Sequence, residues 1–372
     1  MNDFHTAKIV RLLGNFAIVN NLSRQKCCIS IILSMIQTRR VQFYELGLVL
    51  NDKVKPESNE ARIQRFFAET DLNEEELAFL LSLFLTLGKV DLCLDRTEWN
   101  FGQTQVNLLV MSACCQGIGL PLYIDFLDNH SGNSNTCQRI SILKKTVALI
   151  GKFRISALCA DREFIGTEWF DYLLQQRIPF FIRLPKSYWF TVGGASLKAD
   201  ALLGKRKQCK IDGISVVGIN GLSVGIAKVA DKNGQPDLLI VLTNTYAHLA
   251  IKNYRKRWSI ETMFQDFKGQ GFNIEDTHIP IPERIVKMVY LVAIAYAWCI
   301  QLGFMIEQKA EKVCIKKHGY RAKSVFRKGI DRLREYLCKK RLPDLRLWHE
   351  LTDRFIRMAT IKLLFYNRLQ KS

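Results

Sequence analysis

The chain has 372 residues, of which 48% are hydrophobic and 24% charged; that excludes a mainly disordered protein, and the length favours two or three structural units over a single core. Lys and Arg number 54 against 35 Asp and Glu, a net charge of +19, so the natural partner is a polyanion held through its phosphates, with anionic lipid a competing candidate. The stretch Met1 to Arg11 lacks the apolar core of a secretory signal, which points to a cytoplasmic protein.

Residues 1–88 read as helical. Leu22 to Ile36 carries closely spaced Ile, Leu and Met, and Ser58 is placed to cap a helix containing Ile63, Phe66 and Phe67. Asp71 with Glu74 has the form of a capping box before Leu77 to Leu87. An all-α amino-terminal unit that contacts DNA is expected. At Lys89 the pattern changes to the period of a half-buried strand, with Val90, Leu92 and Leu94 alternating with Asp91, Cys93 and Asp95. Two further β runs, Val106 to Cys114 and Leu120 to Leu127, are joined by a turn assigned to Gly117 and Gly119. A helix with apolar Ile140, Leu143, Val147 and Ile150 leads into the continuous apolar run Ile155 to Ala160, which suits a strand covered on both faces of a parallel sheet. Trp169 to Gln176 is again helical, and Phe180 to Leu184 is strand. The order βββαβαβ predicts an α/β fold, a mixed sheet flanked by helices.

Glycines then punctuate short β-type runs, Ile214 to Ile219, Leu222 to Ala227 and Leu238 to Leu242, so residues 186–246 are expected to form a β-rich insertion. A long helix follows from Ala247 to about Lys268, ended by Gly269 and Gly271. Met288 to Ile306 has only Gln301 as a strongly polar residue and is long enough to span a bilayer, yet it stands alone and suits a helix buried in a large soluble domain. No membrane partner is expected. From Lys309 to Ser372 there are 19 basic and 6 acidic side chains, interleaved with Tyr320, Phe326, Tyr336, Trp348, Phe355 and Phe365. Packed helices with one basic face, serving DNA binding and dimerisation, are the expectation for residues 306–372. The 11 cysteines include no Cys-x-x-Cys pair and read as reduced, buried thiols rather than zinc ligands.

The chemistry concentrates on three acids. Asp95 closes the first predicted strand and Asp161 follows the buried one, and in open α/β sheets the carboxyl ends of such strands form the functional crevice. Two carboxylates meeting there repel each other, and a divalent cation bound through oxygen, Mg²⁺ or Mn²⁺, is the natural compensation. On the long helix, Tyr254, Arg257, Glu261 and Lys268 are spaced by 3, 4 and 7 residues, which stacks them on one stripe. With that stripe facing the sheet, Glu261 completes a three-carboxylate site and Arg257 and Lys268 grip phosphates. Ile260, Met263, Phe264 and Phe267 form the packing stripe. Glu163, Asp125, Glu98 and His130 remain unassigned.

The segment YRKRWSIETMFQDFK, together with LDRTEW around Asp95 and ADREF around Asp161, resembles the bacterial insertion-sequence DDE transposases that carry a YREK signature. The resemblance extends over residues 89–300. It implies an RNase H-like core in two parts, 89–185 and 247–305, interrupted by the β-strand insertion. It also implies two Mg²⁺ ions, with Mn²⁺ able to substitute, held by Asp95, Asp161 and Glu261 for DNA cleavage at the transposon ends and strand transfer into target DNA, with a hairpin among the routes. Arg257 and Lys268 would hold phosphates of the cleaved end and Tyr254 would orient a phosphate or a neighbouring side chain. Trp258 would pack, and Trp189 would stack near a flipped base. The partners implied are double-stranded DNA, as terminal inverted repeats and target, and a second copy in a synaptic homodimer. Two alternatives share these residues: an RNase H-like nuclease that cuts without joining, and a catalytically inactive DNA-binding regulator derived from a transposase.

Overall fold

The computed structural model describes residues 16–85, 88–101, 104–127, 132–231, 233–279, 281–309, 317, 321–339, 350 and 353. His130, Cys314, Tyr320, Trp348, Phe355 and Phe365, and the stretch Met1 to Arg11, lie outside them. The protein is mixed α/β, a large mixed sheet with flanking helices, and its contacts separate into two compact units.

The first unit gathers residues 1–84, 99–106 and 264–372. It opens with helices α1 (Leu22–Thr38), α2 (Phe43–Leu50), α3 (Pro56–Glu69) and α4 (Glu74–Ser82). Ser58 lies inside α3, which starts at Pro56 in the first turn without a side-chain cap; proline, with no N–H to satisfy and a preset φ, starts the helix instead. The cap of α4 is Asn73, whose side chain accepts from the Glu76 N–H at 3.2 Å, so the Asp71/Glu74 capping box is corrected by two residues. α2 carries no side-chain cap, which explains why it left no start signal in the sequence.

The second unit holds residues 85–98 and 107–263. Its elements are β1 (Val90–Phe101), β2 (Thr104–Cys115), β3 (Ile118–Leu127), α5 (Thr136–Ile150), β4 (Ile155–Ala160), α6 (Thr167–Gln175) and β5 (Phe180–Arg183). There follow β6 (Trp189–Val192), β7 (Ala195–Lys198), α7 (Ala199–Leu203), β8 (Gln208–Val216), β9 (Ile219–Ala230) and β10 (Pro236–Thr243). Then come α8 (Ala247–Tyr254), a 3₁₀ turn (Arg255–Arg257) and α9 (Trp258–Phe267). From Phe264 onward α9 belongs to the first unit, as do α10 (Pro282–Lys309) and α11 (Val325–Lys339).

The strands form one sheet in the order β3-β2-β1-β4-β5-β10-β9-β8-β6-β7. β1 pairs with β4 and β4 with β5 in parallel, while β3 runs antiparallel to β2, which is the RNase H-like arrangement. The β-rich segment after β5 continues this sheet, because β10 returns antiparallel to β5 and carries β9 and β8 outward. The β2–β3 turn is made by Gln116 and Gly117, with φ of 53° and 80°, the pair of left-handed residues that a tight hairpin turn needs. Gly119, assigned to that turn from sequence, instead lies within β3.

In the first unit every residue from Met288 to Ile300 on α10 is buried. This is the one helix among the described residues long and apolar enough to cross a membrane, and 89% of its most apolar window is buried within the protein. Tyr296 meets Phe267 edge-on at 5.4 Å and Phe326 of α11 at 5.3 Å. Of the described cysteines seven are buried, whereas Cys137 and Cys338 are exposed.

Candidate active site

The site starts from strand register. Leu94 of β1 pairs with Ala160 of β4, so Asp95 and Asp161, each the next residue, emerge side by side where the parallel ladder ends. β1 itself runs on to Phe101, which corrects the expectation that Asp95 closes the strand. What ends at Asp95 is the pairing with β4; beyond it β1 remains next to β2. Each aspartate accepts the N–H of its own successor, Arg96 to Asp95 Oδ1 at 2.9 Å and Arg162 to Asp161 Oδ1 at 2.8 Å. These local bonds fix the direction of both carboxylates.

The helix expected as continuous is broken by the 3₁₀ turn Arg255–Arg257. Small side chains seat this turn on the sheet. Cys93 Sγ meets the Lys256 carbonyl at 3.6 Å, Cys159 Sγ meets the Asn253 carbonyl at 3.4 Å, and Gly119 lies against the Ser259 backbone. The segment thereby comes close enough to deliver Tyr254, Arg257 and Glu261 to the strand ends.

Arg257 stands at the centre of what results. It is 7% exposed; its Nη1 donates to Asp95 Oδ2 at 3.0 Å, its Nη2 donates to Glu261 Oε1 and lies 3.9 Å from Asp161 Oδ2, and its Nε donates to the Tyr254 hydroxyl at 3.0 Å. The Tyr254 hydroxyl in turn donates to Asp161 Oδ1 at 3.1 Å, and the guanidinium lies over the tyrosine ring, 5.5 Å from its centroid. One cation thus bridges three carboxylates.

Charge is nevertheless in short supply. Burial pushes the Asp95 carboxyl up to about 7; Arg257 and the Arg96 N–H oppose the rise, while Asp161 and Glu163 add to it. Burial also raises the Tyr254 phenol, against the pull of Arg257. Arg257 loses by burial but gains more from Tyr254, Asp95, Asp161 and Glu261, so it stays charged.

The other expected contacts fall elsewhere. Lys268 belongs to the first unit, where its Nζ pairs with Glu275 Oε1 at 2.7 Å. Trp189 on β6 is 56% exposed, with Lys198 Nζ 5.0 Å from its ring centroid. Trp258, expected to pack, is 66% exposed. Ile260, Met263, Phe264 and Phe267 are buried as the packing stripe requires. Two residues of the site were missed from sequence: Arg183, with Nη1 3.9 Å from Asp161 Oδ1, and Arg96, which pairs with Glu163, an acid the sequence left unassigned. Arg183 ends β5 much as Asp161 follows β4, and that position at a strand's carboxyl end was the available signal.

Three hard-oxygen donors already converge on the Arg257 guanidinium, and burial holds the Asp95 carboxyl up, so the donor set fits a divalent cation in chemistry and charge. The spacing is that of a guanidinium complex. Among the described residues no three Asp, Glu, His or Cys side chains stand close enough to ligate one metal ion.

The family model for the transposase DDE domain matches residues 86–298, more than half of the chain. The protein belongs to the DDE transposase family. No curated protein matches it. Among solved structures it is similar to the cryo-EM structure of piggyBac transposase in a synaptic complex with hairpin DNA, with a TM-score of 0.44 and 10% identity, covering 96% of this chain and 80% of that one.

Proposed function

We propose that the protein is an insertion-sequence transposase of the YREK type that cleaves DNA at transposon ends and joins them to target DNA in a Mg²⁺-dependent reaction. The observation that carries this reading is the meeting of Asp95, Asp161 and Glu261 around one cation where the parallel pairing of β1 with β4 ends. In the active state these three residues hold Mg²⁺, with Mn²⁺ as substitute. When bound, the two ions supply Lewis acidity to the attacking hydroxyl and to the departing oxygen of the phosphodiester.

The chain's own residues fix the geometry. The bonds from the Arg96 and Arg162 N–H groups orient the two aspartates, and the Tyr254 hydroxyl donates to the same Asp161 oxygen as the Arg162 N–H. Lys268 and the exposed Trp189 are the proposed DNA contacts, and Arg257 contacts a phosphate when it is not engaged with the carboxylates. The excess of basic residues suits a double-stranded DNA partner in the cytoplasm, bound by a dimer that pairs the two ends.

The test uses purified protein and DNA carrying the native element's ends. Asp95→Asn, Asp161→Asn and Glu261→Gln should each abolish Mg²⁺-dependent cleavage and leave end binding intact; cleavage at normal rate by any one refutes the assignment. Joining of pre-cut ends to a target plasmid separates a transposase from a nuclease that only cuts. Absence of metal-dependent cutting in the unaltered protein would point to a DNA-binding regulator.

A further inference from the structure

Three carboxylates share one guanidinium, and no trio of them has the spacing of metal ligands. Both facts have the same cause. The nitrogens of a planar guanidinium are spread apart, so oxygens bonded to different ones stand farther from one another than oxygens around a single ion at 2.0–2.1 Å. Building on the reading of Asp95, Asp161 and Glu261 as metal ligands, we infer that Arg257 is a positioning residue and an internal competitor of the metal. Its guanidinium gathers the three carboxylates while no ion is bound, and it withdraws from them when an ion enters.

The balance of charge makes the exchange favourable. Arg257 faces three carboxylates, with Arg183 3.9 Å from Asp161 as a further positive group, in a site where Arg257 is 7% exposed and the side chain of Asp95 14%. A divalent ion brings more charge to the same oxygens, and in a poorly solvated site that difference counts for more than in water. By relieving the repulsion among the carboxylates the guanidinium stabilises the metal-free site, which is why its removal should tighten metal binding. Arg257 sits at the end of a 3₁₀ turn, on a side chain with several rotatable bonds. Its release therefore does not require the strands to move, and the released fork has the shape that binds a phosphate.

The competition is measured as metal binding, without DNA and without turnover. Mn²⁺ is titrated into the full-length protein and into Arg257→Gln and Arg257→Lys, with binding followed by calorimetry and by the loss of the free-ion paramagnetic resonance signal. Arg257→Gln should bind Mn²⁺ tighter than the unaltered protein by about tenfold or more. It should also melt at a lower temperature without metal and gain more on addition of Mn²⁺. Arg257→Lys should fall between, because one ammonium cannot span the three acids.

Equal or weaker Mn²⁺ binding by Arg257→Gln overturns the inference; if that variant does not fold, the same result with Arg257→Lys overturns it. Asp95→Asn and Glu261→Gln keep the two readings apart. If Mn²⁺ binding by the unaltered protein survives both changes, the ion is not at the triad and the ligand assignment itself fails.

Discussion

Arg96 Nε donates to Glu163 Oε2 at 3.2 Å, tying the residue after Asp95 to the residue two beyond Asp161. The same arginine reaches Asn107 Oδ1 at 3.1 Å and the Glu98 carboxylate, while Arg139 holds the Glu163 carbonyl at 3.0 Å. The Arg96 and Glu163 side chains are 15% and 19% exposed, so the pair is shielded from the screening that weakens surface pairs. Burial raises the Glu163 carboxyl above its ordinary range and Arg96 opposes the rise. In the proposed reaction the contact acts through Asp95 and Asp161. Arg96→Ala or Glu163→Ala should therefore slow single-turnover cleavage by roughly 10- to 100-fold, the usual penalty for losing an outer-shell partner, with DNA affinity unchanged. Cleavage at the unaltered rate in both variants would show that the pair is ornamental.

Gly119 gives a prediction on the same site from beneath. A Cβ there would stand 2.7 Å from the Ser259 carbonyl oxygen and 3.0 Å from its carbon, both main-chain atoms of the helix that bears Glu261. Neither neighbour can rotate away, so α9 has to lift. Gly119→Ala should cost about 1–3 kcal/mol of stability, as overpacking of a well-filled core does. It should also reduce cleavage by displacing Glu261. Thermal melting read beside cleavage checks both, and an unshifted melting temperature would mean that the close approach is relieved cheaply.

Much of this site can be read from residue spacing. Strand alternation around Leu92 and Leu94 and the apolar run before Asp161 locate two acids, and the 3-4-7 spacing of Tyr254, Arg257, Glu261 and Lys268 locates the rest. What spacing does not carry is depth. Spacing puts Arg257 and Lys268 on one stripe of a continuous helix, yet Arg257 is buried among carboxylates in the 3₁₀ turn while Lys268 pairs with Glu275 in the other unit. A helical stripe gives direction around an axis and says nothing of how close that axis lies to a sheet; here the closeness is set by Gly119, Cys93 and Cys159, whose contacts are remote in sequence. The 3₁₀ turn was hidden for a similar reason, since nothing in the residues RKR forbids a regular helix. Helix α2 escaped notice because it has no capping side chain, and Gln116 because a non-glycine residue seldom takes a positive φ.

The start of α4 allows a paired test of capping. Asn73 accepts the Glu76 N–H, whereas the Asp71 side chain is 99% exposed and lies 3.8 Å from Lys287 Nζ. Asn73→Ala should lower unfolding free energy by about 1 kcal/mol, the typical value of a cap. Asp71→Ala should change it by less than about 0.5 kcal/mol, as expected of an exposed ion pair. Urea denaturation of the two variants decides which residue starts the helix, and a larger loss for Asp71→Ala would reverse the assignment.

Asp266 carries a pH dependence of its own. Its residue is 5% exposed, and burial pushes its carboxyl from 3.8 up to about 7. Its charge is felt by Tyr296 and Cys299, whose phenol and thiol are raised chiefly by their own burial and further by Asp266. Because the folded-state value lies above the unfolded one, the fold keeps the proton between about pH 4 and pH 7 while the unfolded chain has lost it. Stability attributable to this group is therefore fully present below the unfolded value and declines as pH rises through that window, flattening above about 7. A difference of about three units sets an upper bound on the order of 4 kcal/mol. Asp266→Asn removes the ionisation and keeps the shape, so it should be more stable than the unaltered protein at pH 8, with the two converging near pH 4. Denaturant titrations at pH 4.5, 6 and 8 test this. If the variant is less stable at pH 8, or if the pH slope survives the substitution, Asp266 is not the group responsible.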